Sequence, residues 1–528
     1  MNLKRDEVRR YQGQVDFSER LSVSSFLNLL LRLQSDQGLF IQYLDGPKVA
    51  ERLTFSEYVD KVFRAAFHLR QLGCRAGDRV MVIGENSVEL LVVYGAIWAL
   101  GGIIVPISSK EKPYYFDVIY NFARPSTVID LLGLISLDQN CFEKKMEYSL
   151  LKRDIEADQL TEFIQHLTKT DKGGALFFTS GTTSQSKGVH LPWQRSQINV
   201  EATIRLHNMK PGHRHMTVLP MVHVNAFHFS FLSCLSSQST LIFSNGFQLK
   251  DFAKQVNLTE PEVVSAVPSV IKMLAHDPRK FLFPPSTKYI VTAAAPLVPA
   301  DVERFYNKLS LPIIQSYGLS EAVNFSLANN PNMSRKEWES LMIGVDRLPA
   351  GMPVWGNEVQ ILSPQGDILD EDQEGEIAIR GWNMMEGYYQ NDSATDEAFE
   401  GGWLHTGDRG YFKETDMGER LIYITGRLKE IVKRNGQNIS LFEVESRLSE
   451  ILPGRHYAII GFSNEWTGEE VGLVTMDQEL LDHSEQYLEK FLEILPYEKS
   501  PKVILLVDEI LKTETGKIKR AAMSQFFN

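Results

Sequence analysis

The sequence predicts an α/β protein with a large N-terminal domain of parallel-rich sheets flanked by helices, a β-rich subdomain, and a small α+β domain at the C-terminal end. Two observations predict this class. Short β-branched runs, several of them apolar throughout, recur between longer helical patterns, and this alternation is typical of parallel sheets covered on both faces. After about Gly351 the stretch EVQILSPQGDILDEDQEGEIAIRG places turn signals between short strands, which predicts antiparallel pairing.

Nine runs in the first part of the chain fit the buried strands of this class, and helical patterns such as FSEYVDKVFRAAFHLRQL accompany them. In order, the runs are RVMVIGE, GGIIVPI, STVID, ALFFTS, HMTVLPM, STLIFS, VVSAVP, KYIVTAAA and LPIIQSYG. Residues 90–106, LLVVYGAIWALGGIIVP, carry no charge and approach the length of a membrane span. Their glycines and proline favour a helix to about Ala99 followed by a buried strand.

The chain is too long for one hydrophobic core, because its 528 residues exceed the usual size of a single domain. We expect an N-terminal domain over residues 1–428, with the β-rich subdomain at about 351–425, and a C-terminal domain over residues 429–528. The last segment alternates LFEVESRLSEIL, YAIIGFS, EVGLVTM and a helical EQYLEKFLEIL. Its length of about one hundred residues is common for a domain.

The composition is that of an ordinary globular protein, with 43% hydrophobic and 23% charged residues. A net charge of -12 argues against a general nucleic-acid binder, because neutralising phosphates requires clustered lysine and arginine. Cys74, Cys141 and Cys234 follow no metal-binding spacing, which indicates free thiols in a reducing compartment. The charged opening MNLKRDEVRRY does not resemble a secretory signal, so we expect a cytoplasmic location.

One loop carries the strongest chemical signal in the sequence. In ALFFTSGTTSQSKGVHL, residues 175–191, an apolar run breaks into small hydroxyl residues, glycine and one lysine. Many small donors after a buried strand form a site for oxyanions, and active sites of open α/β folds lie at the carboxyl ends of strands. The loop lacks the Walker A spacing. A flexible Ser/Thr linker is the alternative interpretation.

Further stretches favour a nucleotide site. QSYGLSE presents Tyr317, Gly318, Ser320 and Glu321 after a strand, and an aromatic ring beside a hard oxygen ligand for Mg²⁺ suits a nucleotide. Two more stretches, GWLHTGDRGYF and ITGRLKEIVKRNGQNIS, supply the carboxylate of Asp408 and the guanidinium of Arg427, and such a pair can hold ribose hydroxyls. LKTETGKIKR places Lys517 after a glycine, and alone it would be read as a solvated turn.

Together, and in this order, these stretches resemble the ANL superfamily of adenylate-forming enzymes, which includes acyl-CoA synthetases, adenylation domains of nonribosomal synthetases, and luciferases. The resemblance implies binding of ATP and Mg²⁺. It implies that the β- and γ-phosphates are held by Thr179, Ser180, Gly181, Thr182, Thr183 and Lys187. It places Ala294, Ala295 and Pro296 along the adenine, with Tyr317 stacked on it between Ser316 and Gly318. Ser320 would contact the α-phosphate, Glu321 would bind Mg²⁺, and Asp408 and Arg427 would hold the ribose.

The resemblance also implies a mobile C-terminal domain. Lys517 on that domain would bridge the substrate carboxylate and the α-phosphate during adenylation. Lys429 matches the hinge, and rotation about it would withdraw Lys517 and bring in the loop around Lys433 and Gly436. In relatives that use coenzyme A, this loop lines the tunnel for the thiol arm.

The stretch LPMVHVNAF matches the acyl tunnel of the family, with His223 at a gating position. A buried structural histidine is the alternative interpretation of His223. The expected acyl pocket is formed by His223, Val224, Asn225, Val291, Thr292, Ala293, Ser316 and Asn324. Relatives that activate amino acids carry aspartate where this chain has Val224, so an aryl, medium-chain or modified aliphatic acid is favoured. The chain departs from the family with Ser184 and Ser186 in the phosphate loop and with Ala293 and Ser316 near the pocket.

Three functions follow from the resemblance. The first is an acid–CoA ligase that works through an acyl-adenylate. The second is a stand-alone enzyme that loads the acyl group onto the phosphopantetheine of a carrier protein, which presents the same thiol arm. The third is a catalytically silent relative, which is disfavoured because Glu321 and Lys517 are both present. The expected partners are a small carboxylic acid and either coenzyme A or a carrier protein.

Overall fold

The structure is a computed structural model, which we describe for most of the chain. The described residues are 26–111, 113–133, 145–147, 154–167, 170, 172–179, 187–279, 281–295, 297–415, 418–435, 437–513 and 517–527.

Helices and strands alternate over much of the described chain. The α-helices are α1 Phe26–Leu33, α2 Phe55–Gln71, α3 Val88–Ala99, α4 Pro113–Ala123, α5 Ala157–Gln165, α6 Trp193–His207, α7 Ser233–Ser237, α8 Leu249–Thr259, α9 Pro268–His276, α10 Pro299–Leu309, α11 Arg335–Met342, α12 Asp392–Ala398, α13 Leu441–Leu448, α14 Gln478–Asp482, α15 Ser484–Ile494 and α16 Arg520–Met523. The strands are β1 Leu39–Asp45, β2 Lys48–Thr54, β3 Arg79–Gly84, β4 Ile103–Ser108, β5 Thr127–Asp130, β6 Lys145–Glu147, β7 Gly174–Thr179, β8 Lys187–Pro192, β9 Arg214–Thr217, β10 Thr240–Ser244, β11 Val263–Ala266, β12 Tyr289–Thr292, β13 Ile313–Gly318, β14 Phe325–Ala328, β15 Met352–Pro353, β16 Asn357–Leu362, β17 Gly375–Gly381, β18 Gly387–Tyr388, β19 Leu404–Glu414, β20 Arg420–Arg427, β21 Ile431–Arg434, β22 Gln437–Ser440, β23 Tyr457–Asn464, β24 Gly468–Thr475 and β25 Ile504–Leu506.

Two parallel-rich sheets form the centre of the large part of the chain. Within the described residues, the first sheet runs β15-β14-β13-β12-β11-β9-β10-β1-β2 and the second runs β18-β8-β7-β4-β3-β5-β6. The strands from β1 through β10, β9, β11 and β12 to β13 are parallel, whereas β13 pairs with β14 antiparallel. Strands β9, β11, β12 and β13 therefore direct their carboxyl ends to one edge of the first sheet.

Local sequence explains where the helices begin. The hydroxyl of Thr54 accepts from the Glu57 backbone N–H at the start of α2, and the Glu57 carboxylate accepts from the Thr54 N–H, which satisfies two backbone donors. At the start of α3 the Ser87 hydroxyl accepts from the Leu90 backbone N–H. That helix is buried along almost its whole length and ends before Gly101, whose φ is +73°. The helix-then-strand prediction for residues 90–106 is thus confirmed by α3 and β4.

The predicted fold class is confirmed. All nine runs predicted as buried strands form strands, and they lie in the two parallel-rich sheets. Strands β16, β17, β19 and β20 form an antiparallel sheet after Gly351. Strands β21 to β25 form a separate mixed sheet, with a core that includes Val432, Val471 and Phe491. In the described part of the chain, no helix is long and apolar enough to cross a membrane.

A π-helix in the first part of the chain was not predicted from the sequence. Residues Ala226–Leu232 form a fully buried π-helix that continues into α7. Its residues are apolar except for His228 and Ser230, and the sequence signal is therefore that of an ordinary buried helix. π-Helices are rare and are often found at functional sites.

Candidate active site

The predicted phosphate loop joins two antiparallel strands of the second sheet. β7 ends at Thr179 and β8 begins at Lys187, and these two residues are Cα partners in the ladder. Ser180, Gly181, Thr182 and Thr183 lie outside the described residues, as does the side chain of Thr179. The ammonium of Lys187 lies 4.4 Å from the ring centre of Tyr388, whose strand β18 pairs with β8.

Glu321 lies directly after β13, in a single 3-10 turn formed by Ser320–Ala322. The hydroxyl of Tyr388 donates to Glu321 Oε1 at 2.9 Å, and the Met385 N–H donates to the Glu321 carbonyl at 2.7 Å. Burial, together with the Glu321 charge, raises the pKa of the Tyr388 hydroxyl, so it stays a donor. Tyr388 therefore holds the predicted metal carboxylate with its hydroxyl and the predicted phosphate lysine with its ring.

Glu321 can take part in Mg²⁺ binding. Magnesium that accompanies a nucleotide is usually held by one or two carboxylates and by the phosphates themselves, and Glu321 keeps a second oxygen besides the one that accepts from Tyr388. Asn383, which is completely buried, donates to the carbonyl of the next residue, Ala322, at 2.8 Å. Hydrogen bonds therefore hold both the Glu321 carboxylate and the backbone of the turn that carries it.

Three predicted nucleotide residues form one hydrogen-bonded group. The Tyr317 hydroxyl donates to Asp408 Oδ2 at 2.7 Å, and Arg427 Nε donates to Asp408 Oδ1 at 2.8 Å. Asp408 is buried and is the Cα partner of Arg427 in the ladder between β19 and β20. The Asp408 charge raises the pKa of the Arg427 guanidinium, and burial followed by the Asp408 charge raises that of Tyr317.

The turn that carries Glu321 is tight and strained. A Cβ atom on Gly318 would lie 1.5 Å from the Asn324 carbonyl oxygen, so this position accepts only glycine. Val323 has φ +66° and ψ -55°, and the Asn324 N–H donates to the Ala322 carbonyl at 2.8 Å, which together describe a γ-turn of the rare strained type. Such strain in a β-branched residue is typical of functional sites.

The adenine segment also contains an unusual backbone. Ala294 has φ +74°, a left-handed conformation that favours glycine. Ala293 stands where the family resemblance implies a glycine. The left-handed backbone lies at the next residue, Ala294. Ala295 lies beside it, half-buried, and Pro296 is outside the described residues.

Lys517 lies close to the groups described above. The residue is exposed to solvent. Partial desolvation by the surrounding protein and the nearby Arg427 charge lower the pKa of Lys517, while Asp408 and Glu321 act in the opposite direction. Arg520, three residues later, donates to Glu430 at 3.0 Å and to Glu445 at 2.5 Å, and so ties the segment of Lys517 to the residues around Lys429.

The predicted hinge and thiol loop lie in the following strands. Lys429 belongs to the 3-10 turn Leu428–Glu430, but its side chain is outside the described part of the structure. Lys433 is exposed in β21, and its N–H donates to Glu469 at 2.6 Å. Gly436 is not among the described residues.

The predicted acyl pocket lies at the carboxyl edge of the first sheet. Val291 and Thr292 end β12, Ala293 follows, and Ser316 belongs to the neighbouring strand β13. Asn324 comes just before β14. His223, Val224 and Asn225 precede the π-helix, and His223 is half-buried.

Sequence reasoning missed Tyr388 and Asn383. Both lie in RGWNMMEGYYQND, where an aromatic pair after glycine in a polar stretch is the signal that the sequence offers. Their contacts with Glu321 and Ala322 join residues more than sixty positions apart, and such pairing is decided by the packing of β18 against β8.

The sequence of this chain matches a known protein family. The family described as AMP-binding enzyme matches residues 38–389, more than half of the chain. The chain belongs to this family. The predicted membership of the adenylate-forming superfamily is thereby confirmed.

Relatives of this AMP-binding enzyme span nearly its whole length. An oxalate–CoA ligase of Arabidopsis thaliana is 26% identical over 503 residues, which cover 90% of this chain and 93% of the relative. A feruloyl-CoA synthase of an Amycolatopsis species is 26% identical over 489 residues, which cover 90% of this chain and 94% of the relative. The structure of o-succinylbenzoate CoA synthetase from Bacillus subtilis, in complex with its acyl-adenylate intermediate, has a TM-score of 0.80 at 20% identity and covers 95% of this chain and 98% of that chain.

Proposed function

We propose that this AMP-binding enzyme is an AMP-forming acid–CoA ligase. It activates a carboxylic acid with ATP to an acyl-adenylate and then transfers the acyl group to the thiol of coenzyme A. The observation that carries this proposal is the grouping of Lys517 with Glu321, Asp408 and Arg427. A mobile cation beside a metal-binding carboxylate and a ribose-binding pair suits the joining of a carboxylate to a nucleotide.

The first step brings two anions together. A carboxylate oxygen of the acid bonds to the α-phosphorus of ATP, the bond from that phosphorus to the bridging oxygen breaks, and pyrophosphate leaves with the electron pair. Negative charge builds on the phosphate oxygens, so cations and oriented donors supply most of the catalysis. Mg²⁺ bound by Glu321 supplies a further positive charge at the phosphates.

Each residue of the proposed site has a role that follows from its position. Lys517 contacts the substrate carboxylate and the α-phosphate, as a point charge on a flexible stem can. Lys187, steadied by the Tyr388 ring, faces the leaving pyrophosphate together with the phosphate loop and Ser320. Asp408 accepts from the ribose hydroxyls, since Arg427 and Tyr317 already hold its carboxylate in place, and Tyr317 stacks on the adenine.

The second step requires the C-terminal domain to turn. We place the domains at residues 1–428 and 429–528, with the hinge at Lys429. Two features support this: residues after Val432 form a core of their own, and the contacts that join it to the larger part include an exposed ion pair of Arg447 with Asp346. Exposed pairs contribute about 0–1 kcal/mol each, so this ion pair does not strongly oppose rotation.

Turning withdraws Lys517 and brings the loop of Lys433 and Gly436 to the acyl-adenylate. The thiol of coenzyme A then attacks the acyl carbon, the bond from that carbon to the phosphate oxygen breaks, and AMP leaves. A cytoplasmic location is proposed as well, because Cys234 is a buried free thiol and reducing compartments keep thiols free. Microscopy of a fluorescent fusion tests that location.

Mass spectrometry of the products tests the proposed reaction. The purified enzyme is incubated with ATP, Mg²⁺ and each of a panel of carboxylic acids, with and without coenzyme A. An acyl-CoA product is expected. Acyl-AMP that persists in the presence of coenzyme A would instead indicate a carrier protein as acceptor. Neither product from any acid would contradict the proposal and favour a catalytically silent relative.

A further inference from the structure

Four polar side chains of the predicted acyl pocket are buried with atoms that have no hydrogen-bond partner in the described part of the structure. They are the Thr292 hydroxyl, the Asn225 amide oxygen, the Ser316 hydroxyl and the Asn324 amide nitrogen. Thr292 is the last residue of β12, and Asn225, Ser316 and Asn324 are between 3% and 9% exposed. Buried polar atoms in folded proteins are nearly always hydrogen-bonded, so such atoms in one region point to a missing partner.

The strand register brings Ser316 and Asn324 to the same place. Val291 of β12 is the Cα partner of Ile314 in β13, and side chains two residues apart share a face. Ser316 and Gly318 therefore lie on the face of Val291. The position of a Cβ on Gly318 falls against the Asn324 carbonyl, so the backbone of Asn324 abuts this same face.

Asn225 approaches from the π-helix. The ring of Phe229 lies 5.2 Å from that of Phe325, the residue after Asn324. Asn225 is four residues before Phe229, slightly less than one turn of a π-helix, and so lies near the same side of that helix. The three residues thus come to one region from β13, from the turn after Glu321 and from the start of the π-helix.

Resting on the proposed function, we infer that the acid substrate carries an uncharged hydrogen-bonding group, such as a hydroxyl, besides the carboxylate that is activated. An acceptor on Asn225, a donor on Asn324 and a hydroxyl on Ser316 can all bond to a hydroxyl, which both donates and accepts. A plain hydrocarbon acid would leave all three unbonded. A second carboxylate fits less well, because the pocket residues include no lysine or arginine and burying an unpaired charge is costly.

The expected size of the preference is large. A site built to hydrogen-bond a substrate hydroxyl rejects the analogue without it far more strongly than an apolar pocket rejects an extra hydroxyl. We expect kcat/KM to favour the hydroxylated acid by on the order of 10²-fold or more over the plain acid of the same skeleton. Each single loss of a partner should reduce that ratio by about tenfold.

The test is ATP–pyrophosphate exchange with two matched sets of acids. One set is butyrate, its 2-, 3- and 4-hydroxy derivatives, and succinate; the other is benzoate, its 2-, 3- and 4-hydroxy derivatives, and terephthalate. A hydroxylated member is expected to lead at least one set. A lead by the plain acid or by the dicarboxylate in both sets overturns the inference while leaving the proposed adenylation intact. No exchange with any acid contradicts the proposed function, and the inference with it.

Variants then assign the preference to the named atoms. Ser316→Ala and Asn324→Ala should each lower the ratio of kcat/KM between the hydroxylated and the plain acid about tenfold. This ratio is measured within one variant, so a partial loss of folded enzyme cancels. Ser326→Ala is the matched control, because Ser326 is equally buried with an unbonded hydroxyl but is not a pocket residue. An equal change of the ratio in the control, or none in the pocket variants, overturns the assignment.

Discussion

At the scale of single residues, the side chain of Tyr388 contacts two of the predicted site residues. Its hydroxyl holds Glu321 and its ring faces the Lys187 ammonium. The two contacts are chemically separate, since one needs the oxygen and the other needs the aromatic face. They can therefore be tested one at a time.

Tyr388→Phe should weaken the use of magnesium and leave the fold intact. The ring and its contact with Lys187 are kept, whereas the donor to Glu321 is lost, and outer partners of metal ligands are typically worth 10- to 100-fold in metal affinity. We expect the Mg²⁺ concentration for half-maximal ATP–pyrophosphate exchange to rise about tenfold. A magnesium titration measures this. Tyr389→Phe is the control, because Tyr389 does not contact Glu321, and identical titrations for both variants would contradict the role of Tyr388.

Lys517→Ala should abolish adenylation far more than it weakens ATP binding. The lysine lies within electrostatic range of Arg427, Asp408 and Glu321, and losing one oriented charge at a transition state typically costs on the order of 10²–10³ in rate. Exchange kinetics and calorimetric titration with ATP separate the two effects. Lys519→Ala, two residues on and exposed, should retain the rate. Equal losses of rate and of binding in Lys517→Ala would count against its proposed role.

At the scale of elements, the turn between β13 and β14 presents Glu321 and Asn324 from one strained backbone. The turn is tolerated because Gly318 lets the Asn324 carbonyl approach and because Asn383 bonds to Ala322. The strain at Val323 is thus offset by contacts made with two other parts of the chain.

Gly318→Ala should disrupt this turn. The added methyl would overlap the Asn324 carbonyl oxygen, so the backbone must shift, and forced overpacking costs about 1–3 kcal/mol. We expect the free energy of unfolding to fall by that amount in a urea titration, together with a loss of exchange activity. Gly173→Ala is the matched control, because the nearest atom to its Cβ would be 3.6 Å away. Unchanged stability and activity in Gly318→Ala would show that the turn is not constrained in this way.

At the scale of the whole molecule, three buried histidines in and beside the first sheet make stability sensitive to acid. His228 donates from Nδ1 to the Val224 carbonyl at 2.8 Å and accepts from Ser196 at 3.0 Å. Burial lowers its pKa to about 4. His207 and His215 are also buried, and burial lowers the pKa of each to about 3. All three are uncharged at neutral pH.

The lowered pKa values of these histidines determine the direction in which folding stability changes with pH. A histidine with a lowered pKa binds fewer protons in the folded state than in the unfolded state, so stability is complete above the unfolded value of about 6.5. This contribution to stability is lost as the pH falls from about 6.5 toward 3 to 4. Each histidine should cost about 2 kcal/mol at pH 5, since one pKa unit corresponds to about 1.4 kcal/mol.

Calorimetric unfolding between pH 7.5 and 5 measures this loss. We expect the melting temperature to fall steeply below pH 6.5, and His228→Gln, which keeps a polar group, to flatten the slope relative to its own value at pH 7.5. His483→Gln serves as the control, because His483 is exposed. The same slope in both variants would show that buried histidines do not dominate the acid response.

Much of the architecture could be predicted because it depends on patterns that are local in the chain. Apolar runs predicted nine buried strands, and the Leu-Gly-Gly break after Trp98 and Ala99 predicted the end of α3. Glu321 stood out for a similar reason, since it directly follows a strand, whereas Asp408 proved to lie within β19. The π-helix escaped prediction because its apolar pattern does not differ from that of a buried α-helix over seven residues.

The sequence by itself therefore determined the fold class and the family, and it predicted the candidate reacting groups, because each of these follows from motifs whose residues are close together in the chain. Only the tertiary structure decided which groups meet. It joined Tyr388 to Glu321, Tyr317 to Asp408, and Asn383 to Ala322. The physical reason is that these partners come from separate elements, and their distances are fixed by sheet register and by the packing of β18 and β19 rather than by spacing along the chain.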